Sequence, residues 1–440
     1  MVSGGRAYHA GLWQVAAMVK SSWLERLREN PLARVGPGFI TGAADDDPSG
    51  IATYAQAGAQ YGLNMLWTMP LSLPLMAAVQ SMCARIGRVT GRGLAANMAA
   101  VFPPLLVGSA VLLLVLANIL NIAADVAAMG ETAELVTGIN RHAMTVAFAA
   151  ATLLAQVFVP YHRYVYFLKW LTVSLLAYAA VLFTVHVPWR EVALRTVWPD
   201  FRFDGSAATV IVAVFGTTIS PYLFFWQASQ EVEDMDAEPR AASLLREPAP
   251  AGRELRRIRW DTWIGMFYSN ATAYFIMLAA AVTLHAAGIT RIDTAAQAAS
   301  ALRPLAGDFA FLLFALGILG VGLIGVPVLA ASGAYAIAEV MHWQWGLERR
   351  ATDARGFYGV IVVSVLAALV IQDLPISPMR ALFWSAVING VVAVPLIIMV
   401  LVLASRHAVL GPYRASRTIL VLGAAAACVM GAAAVRMLSG

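Results

Sequence analysis

Three consecutive carboxylates, Asp45-Asp46-Asp47, followed by Pro48 and Gly50, lie inside a stretch that is otherwise apolar or small: GPGFITGAADDDPSGIATYAQAGAQY, Gly36–Tyr61. The stretch has the length of a membrane-spanning helix, yet acids in hydrocarbon are costly and are kept where they serve a function. Pro48 has no N–H to donate and Gly50 relaxes the backbone beside it. A helix interrupted near Asp47–Gly50 is therefore expected, with the break buried in protein and lining a cavity. Unwound carbonyls and carboxylates together form an oxygen-rich, negative cage, which is a cation site before it is anything else. The competing reading is an acidic loop between two short helices outside the membrane.

Composition fixes the setting. The chain has 440 residues, 60% of them apolar and only 12% charged, where a soluble domain has about 25% charged. A polytopic membrane protein embedded in a lipid bilayer follows. Eleven spans are expected: 38–61 (broken), 67–86, 104–128, 143–160, 166–187, 207–230 (broken), 262–287, 309–339, 356–373, 380–404 and 415–435. With the N-terminus cytoplasmic, 22 of the 30 Lys and Arg fall on the inner side, among them Arg85, Arg88, Arg92, the Arg240–Arg259 group, Arg349, Arg350 and Arg355. The opposite orientation puts this excess on the wrong side. The net charge of +5 sits in these short loops and does not indicate nucleic acid. Cys83 and Cys428 are the two cysteines, so no disulfide framework or thiolate metal cluster is implied. The N-terminus does not read as a signal peptide, because Lys20, Glu25, Arg26, Arg28 and Glu29 break up its apolar stretch. No nucleotide-binding or catalytic motif occurs, so neither an enzyme nor an ATP-driven pump is expected, and no cofactor or obligate protein partner is implied.

The sixth span carries a second irregularity, Gly216-Thr217-Thr218-Ile219-Ser220-Pro221-Tyr222. Two interrupted helices five spans apart point to a transporter of two inverted repeats with its site at the membrane midplane. The expected division is an N-terminal cytoplasmic segment over 1–35, repeats over 36–187 and 207–404, and an additional span over 415–435. Singly, each proline could equally be a kink.

At these residues the chain resembles the NRAMP family of divalent metal transporters. The likeness is strongest over Gly36–Gly62 and continues through ARIGRVTGRGLA (Ala84–Ala95), Asp125, the GTTISP segment and FALGILGVG (Phe314–Gly322). The resemblance implies an all-α, LeuT-like fold with a metal held between broken helices 1 and 6. The family's Asp-Pro-Gly-Asn matches Asp47, Pro48, Ser49 and Gly50, so the aspartate ligand is carried over and the asparagine is lost. Its Met-Pro-His matches Ser220, Pro221 and Tyr222, so both methionine and histidine are gone. A second family histidine falls on Gln227, and a backbone-carbonyl position falls on Thr217. In helix 3 the family aspartate matches Asp125. The glutamate that follows it falls on Ala128, and Glu131 stands three residues further on. The departures resemble those of the divergent magnesium-transporting branch.

Methionine sulfur favours transition metals, and with Ser220 in its place the remaining donors are hard oxygens. The expected metal ligands are Asp47, the Ser220 hydroxyl and the carbonyls of Ala44 and Thr217, with Asp46 and Glu131 reaching a hydrated ion. Gly50 is expected to leave room for retained water, which suits Mg2+. Mn2+ is the second candidate. Asn389 in span 10 is a candidate site neighbour or an interhelical hydrogen-bonding residue. Gln230 and Glu231 line an inner vestibule or simply close span 6. With the family histidines absent, uptake in a bacterial inner membrane driven by potential alone is expected. A proton-coupled Mn2+ or Fe2+ importer, a divalent-cation channel, a metal sensor and an amino-acid carrier are the other classes.

Overall fold

The structure, a computed structural model, describes residues 37–159, 174–237, 241–372 and 376–439. Among these it is helical throughout, with no strand. The order is α1 (Pro37–Asp45), α2 (Pro48–Tyr61), α3 (Thr68–Thr90), α4 (Leu94–Ala99), α5 (Pro104–Thr137), α6 (Arg141–Phe158), α7 (Leu176–Val181), α8 (Trp189–Val197), α9 (Gly205–Thr218), α10 (Pro221–Asp236), α11 (Ala251–Ala280), α12 (Ala310–Val340), α13 (Arg355–Ile371), α14 (Pro378–Ser405) and α15 (Arg417–Leu438). Short helical turns between Ala295 and Phe309 precede α12.

Both expected interruptions are present. Between α1 and α2 the chain turns extended at Asp47 (φ −67°, ψ 171°) and resumes as helix at Pro48. Proline suits a first helical position, where its missing N–H is not needed. The Asp47 carboxylate supplies the cap, with Oδ1 accepting from the Gly50 N–H at 2.9 Å. The break thus falls at Asp46-Asp47 rather than across Asp47–Gly50, because Gly50 already belongs to the first turn of α2. The same device recurs between α9 and α10, where Ser220 is extended (φ −70°, ψ 127°) and Pro221 opens the next helix.

Among the described residues seven helices or continuous runs are long and apolar enough to cross a bilayer: Pro104–Thr137, Arg141–Phe158, Gly205–Asp236, Ala251–His285, Ala295–Val340, Pro378–Ser405 and Arg417–Leu438. The α2–α3 corner, bent by 113°, and the shorter α13 coincide with further expected spans. Of the span expected over 166–187, the first part lies outside the described residues, and α7 falls in the remainder. Leu112, Leu113 and Leu116 on α5 are exposed, as a lipid-facing stripe requires.

The broken helices occupy the middle of the bundle. α1 packs on α11, α10 on α3 and α12, α9 on α14, and α12 on α5. The α1–α11 approach depends on Gly42: a Cβ there would stand 2.2 Å from the Gly265 carbonyl oxygen. The loops counted as one side by charge also meet at one end. Arg88 pairs with Glu254 at 3.6 Å and donates to the Ala242 carbonyl at 2.7 Å, Arg85 donates to the Tyr413 carbonyl at 3.1 Å, and the Leu347 N–H donates to Glu233.

Candidate metal site at the paired helix breaks

The C-terminal end of α1, the first turn of α2, the first turn of α10 and the middle of α5 converge on Asp47. Its Oδ1 accepts from the Ser49 hydroxyl at 2.6 Å and from the Gly50 N–H. Its Oδ2 accepts from Asn121 Nδ2 of α5 at 2.9 Å. The Tyr222 hydroxyl of α10 lies 3.1 Å from the Ala44 carbonyl and 3.3 Å from Asp47 Oδ2, so its single proton serves one of them at a time. Asn121 also reaches Asp125 Oδ2 at 3.3 Å, one turn further along α5. Beside them, Ser269 of α11 lies 2.7 Å from Asp45 Oδ2 and 3.1 Å from Asp46 Oδ1. One hydroxyl proton cannot satisfy both, and the other oxygens of Asp45 and Asp46 have no protein partner.

Asp45, Asp46, Asp47 and Asp125 are each no more than 1% exposed. Among the described residues the one buried Lys or Arg is Arg88, which is held by Glu254 at the end of the bundle. Four buried carboxylates without a basic partner require cations or protons, since an isolated buried charge is heavily penalised. Among the described residues no three His, Cys, Asp or Glu side chains are arranged to hold one ion. Any ion here therefore draws its remaining ligands from carbonyls, amides, hydroxyls and water.

The expected site residues separate into groups. Asp47 and the Ala44 carbonyl come together under Tyr222. Asp46 sits beside Asp45 at Ser269. Ser220 turns its hydroxyl back onto its own helix, donating to the Thr217 carbonyl at 2.7 Å. Thr217 faces α2, its Oγ1 3.1 Å from where a Gly50 Cβ would be, with the Tyr54 ring 3.3 Å from the same point. The space expected to hold water at Gly50 is thus filled by Thr217 and Tyr54. Glu131 lies elsewhere: six residues past Asp125, or about 9 Å along the helix axis, its Oε1 accepts from the Ala295 N–H at 3.0 Å. Asn389 is buried with no hydrogen-bond partner, on the turn of α14 whose Ala386 and Gly390 backbone touches Gly216.

Two residues at the site escaped sequence reasoning. Asn121 was accessible to it, standing four residues before Asp125 on the same helix face. Ser269 was not, because only the tertiary packing of α11 on α1 brings it to the acids.

The α1 end of the bundle is fastened on every side of α10. Gln227 meets Thr41 of α1, Ser229 donates to Glu339 at 2.8 Å, Gln230 donates to Tyr335 at 3.0 Å, and Arg257 pairs with Glu231 at 2.5 Å. At the α2 end a cavity of about 420 Å3 is lined by Gln56, Gln60, Ser206, Asp293 and Arg380 among others. There Gln56 holds the 290–292 loop, donating to the Thr290 carbonyl and accepting from the Ile292 N–H.

Residues 38–440 match the family described as natural resistance-associated macrophage protein-like, or Nramp. The chain belongs to the Nramp family. Among Nramp relatives, a divalent metal cation transporter, MntH, of Acidiphilium cryptum is 29% identical over 379 residues, covering 81% of this chain and 82% of that protein. One from Klebsiella pneumoniae is 24% identical over 418 residues, covering 93% and 94%. In three dimensions the chain superposes on the Eremococcus coleocola manganese transporter with a TM-score of 0.74 at 16% identity, covering 94% of this chain and 87% of that one. A nucleobase-cation-symport-1 family transporter in a closed conformation follows at 0.57, with 14% identity and 92% of each chain covered. The fold is accordingly the LeuT-like one, with helices 1 and 6 broken. In the structure Tyr222, which the resemblance sets at the family histidine position, reaches Asp47, and Gly50, set at that of the family asparagine, lies in the first turn of α2.

Proposed function

We propose that this protein is a secondary transporter that carries divalent cations by alternating access, with Mg2+ preferred and Mn2+ accepted, and without strong proton coupling. The observation that supports the reading is the donor set around Asp47 among the described residues: oxygen ligands with no sulfur or imidazole, beside three further buried acids with no basic partner among them. The names of the relatives support the broader class, since they are divalent metal cation transporters and a manganese transporter. The hardness of the ligands supports Mg2+ within that class. Asp47 and the Ala44 carbonyl are the nearest ligands, with Thr217 and Ser220 contributing from the second break and Asp46 through water.

Entry is from the cavity at the α2 end, and release is past α1 once its fastenings to α10 and α11 open. On this reading the N-terminal segment 1–35 is cytoplasmic in a bacterium, and the repeats over 36–187 and 207–404 and the added span over 415–435 lie in the inner membrane. A divalent ion moving inward gains about 4.6 kcal/mol per 100 mV, twice the single-charge value, so the potential alone can drive uptake. A second reading, a proton-coupled Mn2+ or Fe2+ importer, draws on Asp125 beside Asp47 and on the manganese-transporting relative. Calorimetric titration of purified protein discriminates between them. Mg2+ binding that disappears in Asp47→Ala supports the proposal; binding of Mn2+ with none of Mg2+ favours the second reading.

A further inference from the structure

We propose that Asn121 is the amide ligand of the cargo: its Nδ2 donates to Asp47 and Asp125, and a turn of the side chain brings its Oδ1 to a cation held at Asp47. The inference rests on the transport reading above. Asn121 is fully buried on α5, with Nδ2 2.9 Å from Asp47 Oδ2 and 3.3 Å from Asp125 Oδ2. Its Oδ1 has no partner. An asparagine amide carries two donors on one atom and two acceptor lone pairs on the other. Its last torsion is broad and roughly two-fold, so the two ends exchange places without moving the helix. Donor towards the carboxylates, the side chain neutralises part of their repulsion. Acceptor towards the same point, it adds a hard oxygen where a cation bridging Asp47 would sit.

Helix 1 cannot provide this amide. Position 50 is glycine, and the Thr217 hydroxyl and Tyr54 ring fill the space a side chain would need. The neighbouring Asn118 marks the contrast. It is also buried, but its Nδ2 donates to the neutral Leu329 carbonyl at 2.9 Å and the Ser332 hydroxyl at 2.8 Å, as a tie between α5 and α12. The Oδ1 of each is without a partner, but among the described residues only Asn121 has two carboxylates as its acceptors.

The test compares Mg2+ and Mn2+ binding, by titration calorimetry and by metal-dependent thermal stabilisation, in the full-length protein and in Asn121→Leu, Asn121→Asp, Asn118→Leu and Asp47→Ala. Asn121→Leu removes donor and acceptor at nearly constant volume and is expected to weaken Mg2+ binding by about tenfold or more, the effect of losing a metal-orienting group. Asn121→Asp keeps an oxygen acceptor and is expected to retain binding. Asn118→Leu is expected to lower stability without changing affinity. If leucine at 121 does not fold, Asn121→Ala, which also lacks donor and acceptor, is read in its place. Equal losses in Asn121→Leu and Asn121→Asp would overturn the proposal, as would wild-type affinity in Asn121→Leu. Undiminished binding in Asp47→Ala would instead overturn the reading on which it rests.

Discussion

Gly42→Ala tests whether the α1–α11 contact keeps the α1 end of the bundle closed. A methyl group at Gly42 would lie 2.2 Å from the Gly265 carbonyl oxygen, where ordinary contact begins at 3.4 Å, so α1 must withdraw by about 1.2 Å. That movement stretches the bond from the Gly38 N–H to Asp261 Oδ2 from 2.7 Å to about 3.9 Å, outside hydrogen-bonding range. The Thr41–Gln227 bond on the same helix is lost with it. One charge-assisted and one neutral hydrogen bond are together worth about 3 kcal/mol. Alanine returns about 1 kcal/mol through helix propensity. The net loss of about 2 kcal/mol corresponds to roughly 30-fold faster local opening. Hydrogen exchange followed by mass spectrometry should show this acceleration in peptides covering 37–45, with α14 unchanged. Exchange in α1 that is unaltered or slower, as propensity alone predicts, would refute the argument.

Other consequences follow from the same geometry. Arg257→Ala leaves the fully buried Glu231 carboxylate unpaired and should destabilise the protein by about 2–4 kcal/mol, read as a drop in thermal midpoint, with Glu231→Gln in the same background recovering part of it. Gly50→Asn, which writes the family residue back into helix 1, should cost about 1–3 kcal/mol by overpacking against Thr217 and Tyr54 and should not raise Mn2+ affinity, as titration would show. Glu131→Gln should leave Mg2+ affinity at the wild-type value while speeding exchange at the Ala295 amide.

How far the sequence disclosed this arrangement depends on the range of the forces involved. Both helix breaks were legible because their causes are local: proline at a first helical position and a side chain able to precede it. The displacement of the first break by about a residue reflects one further local fact, the capping of α2 by Asp47. Asp47 was singled out by the match of Asp47-Pro48 to the family's Asp-Pro motif; that its carboxylate caps α2 is seen only in the structure. The shell around it was less legible. Ser269 reaches Asp45 across 224 positions of sequence, and no pattern in either helix announces the meeting. Gly50 read as vacant space because the sequence does not show that Thr217 and the Tyr54 ring close over it. Glu131 follows Ala128, the position matching the family glutamate, by one turn and lies near its face, but it stands about 120° round the helix from Asp125. The axial offset of six residues carries it to the 295 turn. Tyr222 at the family histidine position was visible as a substitution, yet its reach to both Ala44 and Asp47 depends on how α10 packs against α1.

The proposed transport makes a hard, oxygen-lined site at Asp47 move Mg2+ without protons. It is tested most directly by cation uptake into proteoliposomes under an inside-negative potential, with internal pH recorded in the same vesicles and Asp47→Ala as control. Mg2+ entry that is abolished in Asp47→Ala, with no internal acidification, is the expected result. Entry of Mn2+ accompanied by acidification, with Mg2+ excluded, would contradict it.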